Sequence, residues 1–168
     1  MFLSVTLVTS LSLVALPLAS QILPSSALSL SYKLQVDLRR VLPGRVLTVN
    51  WCGALVFVRN RTLIEVRAVR RIKLSGLRDK LARNENIDEL ALASDVNRCA
   101  DKQSQNWLVL LAPCTHLGCI PEARSYGWYC ACHGSVYDLA GRVVRGPAST
   151  NLPVPKCIVK SPVLIIGD

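Results

Sequence analysis

The first 32 residues of this 168-residue chain contain no lysine, arginine, aspartate or glutamate. The lack of a basic residue ahead of the apolar run argues against a cleaved signal peptide, which usually carries a basic n-region and a shorter apolar core. As a helix, residues 1–23 (MFLSVTLVTSLSLVALPLASQIL) would extend roughly 33 Å, enough to cross a hydrocarbon core of about 30 Å. They therefore predict one uncleaved N-terminal transmembrane helix.

Every charge lies in residues 33–168, so the whole net charge of +9 belongs to that part of the chain. It contains neither a nucleic-acid motif nor a basic patch interleaved with aromatic residues. The lack of both excludes nucleic acid as the expected partner. An acidic membrane surface or an acidic protein face fits the charge instead.

Histidine is scarce, since His116 and His133 are the only two in the chain. Cysteine is more frequent, and its odd total of seven excludes complete pairing in internal disulfides. Four of the seven lie close to the two histidines. The other three, Cys52, Cys99 and Cys157, are predicted to be small buried apolar side chains.

The remainder of the chain divides into a tether and a head. Residues 24–33 (PSSALSLSYK) are short and serine-rich, and predict a flexible tether. Residues 34–168 predict a mainly β head domain, apart from residues 62–74, whose pattern has no clean period and leaves their type open. The strand-like stretches are YKLQVDL, RVLTVNW, ALVFVRN, NWLVLLAP, GWYC, RVVRGPAST, CIVKS and VLIIGD.

Residues 75–106 differ from the rest of the head in being polar and rich in helix formers. Ser75 is predicted to cap a helix whose first turns contain Arg78, Asp79 and Lys80. The stretch NIDELALA predicts a second short helical turn. We therefore expect a helix-and-loop insertion in the β head.

Two cysteine–histidine boxes carry the chemistry. The first reads Cys114-x-His116-x2-Cys119 and the second Cys130-x-Cys132-His133, which gives four thiols and two imidazoles. A structural zinc site takes four such ligands, so zinc would leave two of the six over. A [2Fe–2S] cluster with two cysteine and two histidine ligands would take one of each from each box, with one spare cysteine per box.

The stretches CTHLGC and CACHGSVYD resemble the two cluster-binding boxes of Rieske iron–sulfur proteins, and GRVVRGPAS resembles the Gly-Pro loop of that family. The resemblance extends to VNWCGALVFVRNRT and NWLVLLAPCTHLGC, which are similar to the Rieske subunit of the cytochrome bc complex, respiratory complex III. It implies a Rieske-type antiparallel β head with a small cluster-binding subdomain at about residues 112–150. Ala131 and Ser149 stand where the family usually has proline.

The resemblance also implies roles for individual residues. The ligands of one [2Fe–2S] cluster would be Cys114, His116, Cys130 and His133. A disulfide would join Cys119 to Cys132. The hydroxyls of Ser135 and Tyr137 would donate hydrogen bonds to cluster sulfur and raise the reduction potential. The loops that cover the cluster would contain Leu117, Gly118, Gly146 and Pro147.

The function implied is that of a redox subunit in a quinol–cytochrome c oxidoreductase, an enzyme complex that translocates protons. The head would take an electron from quinol bound to a cytochrome b subunit and pass it to a c-type cytochrome subunit. His133 would contact the quinol and accept its proton. We expect a dimeric complex in the bacterial inner membrane, with a single-pass anchor and a periplasmic head; the mitochondrial inner membrane is the alternative.

Two other functions stay open at this point. One is the Rieske subunit of a photosynthetic cytochrome bf complex. The other is a non-redox, membrane-anchored module stabilised by zinc.

Overall fold

The computed structural model describes residues 32–100, 102–103 and 105–167. The predicted anchor and most of the predicted tether lie outside this range. Within it, no helix is long and apolar enough to cross a bilayer. The described chain is mainly antiparallel β, as predicted, with one α-helix.

Three antiparallel sheets make up the described head, with strand orders β1–β10–β9, β2–β3–β4 and β5–β6–β7–β8. The strands are β1 (Leu34–Asp37), β2 (Val46–Trp51), β3 (Ala54–Asn60), β4 (Trp107–Leu111), β5 (Glu122–Arg124), β6 (Gly127–Cys130), β7 (Ser135–Tyr137), β8 (Val143–Arg145), β9 (Cys157–Lys160) and β10 (Val163–Ile166). The first two sheets contain the β-branched and alternating stretches from which the sequence predicts strands. The third contains the second box between β6 and β7.

Apolar side chains from all three sheets form a common core. Val56, Val58 and Leu110 of the second sheet are fully buried, as are Trp128 of the third and Leu164 of the first. The rings of Phe57 and Trp128 stack with their centroids 6.2 Å apart. The third sheet therefore packs on the same core as the other two, which fixes the position of both boxes.

The β2–β3 hairpin turns at Cys52–Gly53, as the sequence predicts. Both residues have positive φ, 52° and 83°, as a tight two-residue hairpin turn requires. Asn50 accepts a hydrogen bond from the Gly53 amide at 3.0 Å. The turn leaves Cys52 exposed, so the prediction that it is buried is wrong, whereas Cys99 and Cys157 are buried as predicted.

The single described α-helix, α1 (Leu63–Arg70), lies in the segment whose type the sequence left open. It begins with a capping box, in which the Thr62 hydroxyl accepts from the Glu65 amide and the Glu65 carboxylate accepts from the Thr62 amide. Val66 and Val69 are its buried residues. Because only these two positions face the core, the segment shows too little apolar periodicity to be identified from sequence.

The helices predicted for residues 75–106 are not formed. Ser75 lies inside a 3₁₀ turn, Leu74–Gly76, and residues 86–93 form a loop with a tight turn rather than a helical one. The backbone amides bond to distant carbonyls instead of to those four residues earlier: Ala93 donates to Lys80 at 2.8 Å, and Ala82 donates to Ala91 at 2.7 Å. These long-range bonds override the helix propensity of the segment.

Candidate metal centre

Box one follows β4, and box two forms the turn between β6 and β7. Each loop is closed in the same way, because the amide of a glycine donates to the carbonyl of the cysteine four residues earlier. The distance is 2.8 Å from Gly118 to Cys114 and 2.9 Å from Gly134 to Cys130. Both glycines have positive φ, 81° and 75°, which a residue with a side chain rarely adopts.

A disulfide between Cys119 and Cys132 joins the two loops, with the Cα atoms 6.6 Å apart. Cys130 lies beside it, and its sulfur is within 4.8 Å of both disulfide sulfurs. A sulfur in a disulfide is no longer a thiolate, the form that binds metal. The disulfide therefore removes two of the six candidate ligands and leaves four.

Those four divide into two buried thiols and two more accessible imidazoles. Cys114 and Cys130 are buried, His116 is half-buried and His133 is exposed. The two histidine rings meet edge to face, with centroids 4.7 Å apart. The structure thus brings the two histidines into contact across the boxes and places the two free thiols of the boxes beside each other.

The donor set fits a [2Fe–2S] cluster held by two cysteines and two histidines. Nδ1 of His116 is buried and has no hydrogen-bond partner among the described residues. An unpaired buried nitrogen is unfavourable unless something binds it, and a metal ion is a natural partner for a neutral imidazole. Two cysteines plus two histidines is also the ligand set of a Rieske cluster.

Hydrogen-bond donors surround the sulfur of Cys114. Burial disfavours its thiolate, but hydrogen bonds outweigh burial and lower the pKa of this thiol. The hydrogen bond that lowers this pKa most involves the Tyr137 hydroxyl. Smaller contributions come from the His116 amide and from the side chains of Cys130 and Ser135. Burial and the adjacent Cys114 raise the pKa of Cys130. The site is therefore built to hold negative charge at the Cys114 sulfur.

Tyr137 is the best placed of these donors. Its buried hydroxyl lies 3.1 Å from the Cys114 sulfur and accepts from the Thr115 amide at 3.1 Å. The Thr115 hydroxyl donates its proton to the Thr150 carbonyl at 2.7 Å. It therefore cannot donate to Tyr137, although it is 3.1 Å away. Tyr137 is therefore the donor in that contact, and its proton is shared between the Thr115 oxygen and the Cys114 sulfur, each 3.1 Å away. Burial together with Cys114 raises the pKa of Tyr137.

Ser135 and the Gly-Pro loop meet beneath the site. Ser135 is fully buried, and its hydroxyl accepts from the Ala148 amide at 3.1 Å. A Cβ atom on Gly146, where φ is +96°, would lie 2.5 Å from Cα of Ser135, so only glycine permits this approach. Pro147 is exposed, and so are Leu117 and Gly118 in the first box.

Sequence reasoning missed two residues near the site. Thr115 sits between two of the predicted ligands and could have been noticed from that position alone. Arg78 was assigned to the first turns of a helix, but its guanidinium donates to the carbonyls of Gly146 and Ala148, the second at 2.9 Å. No sequence signal links residues so far apart in the chain.

A groove of about 890 Å³ lies elsewhere in the head, at the start of α1. Its lining includes Pro43, Leu63 and Ile64 and none of the cysteines or histidines of the boxes.

Comparisons with known proteins agree with this site. Residues 75–156 match the Rieske [2Fe–2S] domain. Over 143 residues the chain is 44% identical to the ubiquinol–cytochrome c reductase iron–sulfur subunit of Cereibacter sphaeroides, covering 83% of this chain and 76% of that one. It is 39% identical over 153 residues to the mitochondrial cytochrome b-c1 complex subunit Rieske of Schizosaccharomyces pombe, covering 89% and 60% respectively.

A chain of a solved hyperthermophilic respiratory Complex III matches 97% of this chain and 99% of its own length, with a TM-score of 0.55 and 24% identity. At that identity the match shows the shared fold. The identity to the bacterial subunit extends over most of both chains. The chain therefore belongs to the Rieske [2Fe–2S] iron–sulfur subunits of ubiquinol–cytochrome c reductase.

Proposed function

We propose that this chain oxidises quinol at the quinol-oxidation site of a cytochrome b subunit and passes the electron to a c-type cytochrome subunit. The observation that carries the proposal is the arrangement of the four free ligands: two buried thiols behind two histidines, one of which, His133, is exposed. Relatives named as subunits of ubiquinol–cytochrome c reductase support the choice of substrate and partners.

Cys114, His116, Cys130 and His133 would hold the cluster, which supplies a one-electron acceptor when bound. Nδ1 of His116 is the buried nitrogen that would bind it. The Cys119–Cys132 disulfide joins the two loops and would hold the four ligands near one another before the cluster is inserted. Such preorganisation lowers the entropy lost on binding.

The hydroxyl groups of Tyr137 and Ser135 would set the reduction potential. Both are buried beside Cys114, where the local dielectric is low and a hydrogen bond to developing negative charge is strengthened. Donors to cluster sulfur stabilise the more negative, reduced state and raise the potential. A raised potential suits the oxidation of quinol.

His133 would contact the quinol and accept its proton at the ring nitrogen that does not bind iron. It is the more exposed of the two histidines, and exposed apolar side chains accompany the boxes. Leu117 is 71% exposed and Ile120 is 44% exposed. These side chains would dock against an apolar surface of the cytochrome b subunit and exclude water from the quinol.

The remaining parts of the proposal concern the membrane. Residues 1–23 would be the anchor and residues 24–33 the tether that lets the head reach both partners. The head would lie on the periplasmic side of a bacterial inner membrane, within a dimeric complex that translocates protons. Relatives named as a bacterial ubiquinol–cytochrome c reductase subunit and as a mitochondrial cytochrome b-c1 complex subunit support this placement.

The experiment that tests the function compares two leucines of equal exposure. Leu117 is 71% exposed beside the histidines, and Leu90 is 72% exposed in the insertion. In the assembled complex, Leu117→Glu should slow quinol oxidation about tenfold or more, because a charge at an apolar contact costs about 1.4 kcal/mol or more. Leu90→Glu should leave the rate unchanged.

Both variants should keep the electron paramagnetic resonance signal of a reduced Rieske cluster, with iron and acid-labile sulfide in equal amounts. A single zinc with no iron in the wild-type protein would refute the redox function. Equal rates for the two leucine variants would refute the docking surface.

A further inference from the structure

Arg78 reaches the Gly-Pro loop from a part of the chain far away in sequence. Its Nη1 donates to the carbonyls of Gly146 and Ala148, the second at 2.9 Å, across separations of 68 and 70 residues. These two carbonyls lie on either side of Pro147. One guanidinium therefore holds the loop at both sides of its proline.

The loop is connected in turn to the hydroxyl of Ser135. The Ala148 amide donates to Ser135 Oγ at 3.1 Å, and Ala148 and Ser135 are both fully buried. A hydroxyl that accepts a hydrogen bond from a fixed amide still has its own proton to donate. Ser135 lies opposite Cys130 in the pairing of β6 with β7, and its side chain helps to lower the pKa of the Cys114 thiol. The amide of Ala148 thus limits the directions in which the Ser135 proton can point, beside both cysteines.

The loop also lies too close to Ser135 to shift by much without changing this bond. A Cβ on Gly146 would meet Cα of Ser135 at 2.5 Å and the Gly134 carbonyl at 2.7 Å. The middle residue of the loop, Pro147, has no amide proton that could donate a hydrogen bond and fix the loop. A side chain that donates to the loop carbonyls is therefore well placed to fix its position.

We propose that Arg78 is a positioning residue for the cluster site: by holding the Gly146–Ala148 loop it keeps the Ala148 amide on Ser135 Oγ and so aims the Ser135 hydroxyl at sulfur. This inference rests on the proposed function, because it assumes that Cys114 and Cys130 bind the cluster. Without Arg78, the loop moves, the Ser135 hydroxyl rotates away for part of the time, and the reduced cluster loses part of one hydrogen bond.

The test uses the cluster-loaded protein and follows the midpoint potential by redox titration. Arg78→Met removes the donor and the charge while keeping an unbranched side chain. It should reduce the equilibrium constant for reduction about threefold, the order expected for one partly lost hydrogen bond. Lys80→Met is the matched control, because Lys80 is an exposed cation two residues after Arg78 in the chain. It should leave the potential at the wild-type value.

A double-variant cycle separates positioning from simple charge or folding effects. In a Ser135→Ala background, Arg78→Met should produce no further change in potential, because the hydroxyl through which it acts is gone. Hydrogen exchange of the segment around Ala148 should be faster in Arg78→Met and unchanged in Lys80→Met. Arg78→Gln, which keeps an amide donor on a shorter side chain, should change both quantities in the same direction but less.

Any of three results would overturn the inference: a wild-type potential in Arg78→Met, the same threefold change in the Ser135→Ala background, or an equal change in Lys80→Met. If Arg78→Met does not hold a cluster, a wild-type potential in Arg78→Gln would overturn it. A wild-type protein that shows no Rieske signal would refute the proposed function instead, so the two failures are distinguishable.

Discussion

Tyr137 shows how single residues of the site combine several contacts. Its hydroxyl accepts from the Thr115 amide and lies 3.1 Å from the Cys114 sulfur, so one oxygen orders the first box while its proton can be donated to that sulfur. Ser135, which pairs with Cys130 across β6 and β7, accepts from the Ala148 amide. In both cases a backbone amide orients a hydroxyl, so the position of the main chain decides where the proton points.

We expect Tyr137→Phe to lower the midpoint potential while the cluster is retained. The phenyl ring fills the same buried space, while the donor to sulfur and the acceptor of the Thr115 amide are lost. The free energy of unfolding should fall by about 1 kcal/mol, because the Thr115 amide loses its acceptor. Redox titration and urea unfolding measure the two effects. Tyr126→Phe, at a tyrosine that is 52% exposed, should change neither; an unaltered potential in Tyr137→Phe would contradict the assignment.

The three cysteines outside the boxes should differ in reactivity. Cys52 is exposed in the β2–β3 turn, whereas Cys99 and Cys157 are buried. Burial raises the pKa of the Cys99 thiol to about 11 and that of Cys157 to about 12, so both stay protonated near neutral pH. Since the thiolate is the nucleophile, iodoacetamide should label only Cys52 in the folded, cluster-loaded protein, as read by peptide mass spectrometry. Labelling of Cys99 or Cys157 without denaturant would show that the head opens there.

At the level of elements, buried arginines connect segments that are distant in the chain. Arg142, in the turn after β7, donates to the Asp138 carboxylate at 2.7 Å and to the carbonyls of Ala93 and Val69 at 3.0 and 3.1 Å. It thereby joins the turn to the insertion and to α1. Arg98, which lies in the insertion, donates to the Ala140 carbonyl at 2.9 Å and so joins the insertion to the same turn. Among its described residues the insertion has no α-helix or strand, only 3₁₀ turns and isolated bridges, and guanidinium groups help to hold it to the cluster-binding subdomain.

Arg142→Leu should therefore destabilise the head strongly. It leaves Asp138 buried without its cation, and losing one partner of a buried pair costs about 3–5 kcal/mol. Urea unfolding should show a loss of that order. Arg124→Leu is the control, because its pair with Glu122 is exposed and worth at most about 1 kcal/mol. Similar losses in the two variants would mean that the buried pair has no special role.

The sequence predicts the long strands and the ligand boxes, because both have short-range patterns. Strands such as β3 are unbroken apolar runs, and the boxes place each cysteine within a few residues of a histidine. The sequence does not predict the loop structure of residues 75–106, because the amides of this segment bond to carbonyls that are distant in the chain. It also does not predict the bonds of Arg78 to the Gly-Pro loop, because a contact across 68 residues leaves no local pattern. The three-residue strands β5 and β7 are likewise too short to show a period.

At the scale of the whole molecule, a few contacts link the insertion to the chain that follows the Gly-Pro loop. Asp79 is one of them. Its carboxylate accepts from the Asn151 amide at 2.9 Å and from the Arg83 side chain at 2.9 Å, and the Asn151 side chain donates back to the Asp79 carbonyl at 3.1 Å. The bonds connect the insertion to the chain that follows the Gly-Pro loop. Protonating one carboxylate should therefore loosen the packing of the whole head.

Asp79 gives the head a specific dependence on acid. Burial acts to raise the pKa of Asp79, but the bonds from Arg83, Asn151 and Leu81 outweigh it and hold the pKa below the ordinary value of 3.8. The unfolded chain therefore binds a proton at a higher pH than the folded chain does. The stabilisation is complete above the pKa of the unfolded chain and is lost as the pH falls through the pKa of the folded chain.

The free energy of unfolding, measured in urea at constant ionic strength, should decline as the pH falls from about 5 to about 3. Asp79→Asn should be less stable at neutral pH and show a shallower decline, whereas Asp88→Asn, at an exposed position in the same insertion, should follow the wild type. Parallel curves for Asp79→Asn and the wild type would show that the acid sensitivity arises at other carboxylates.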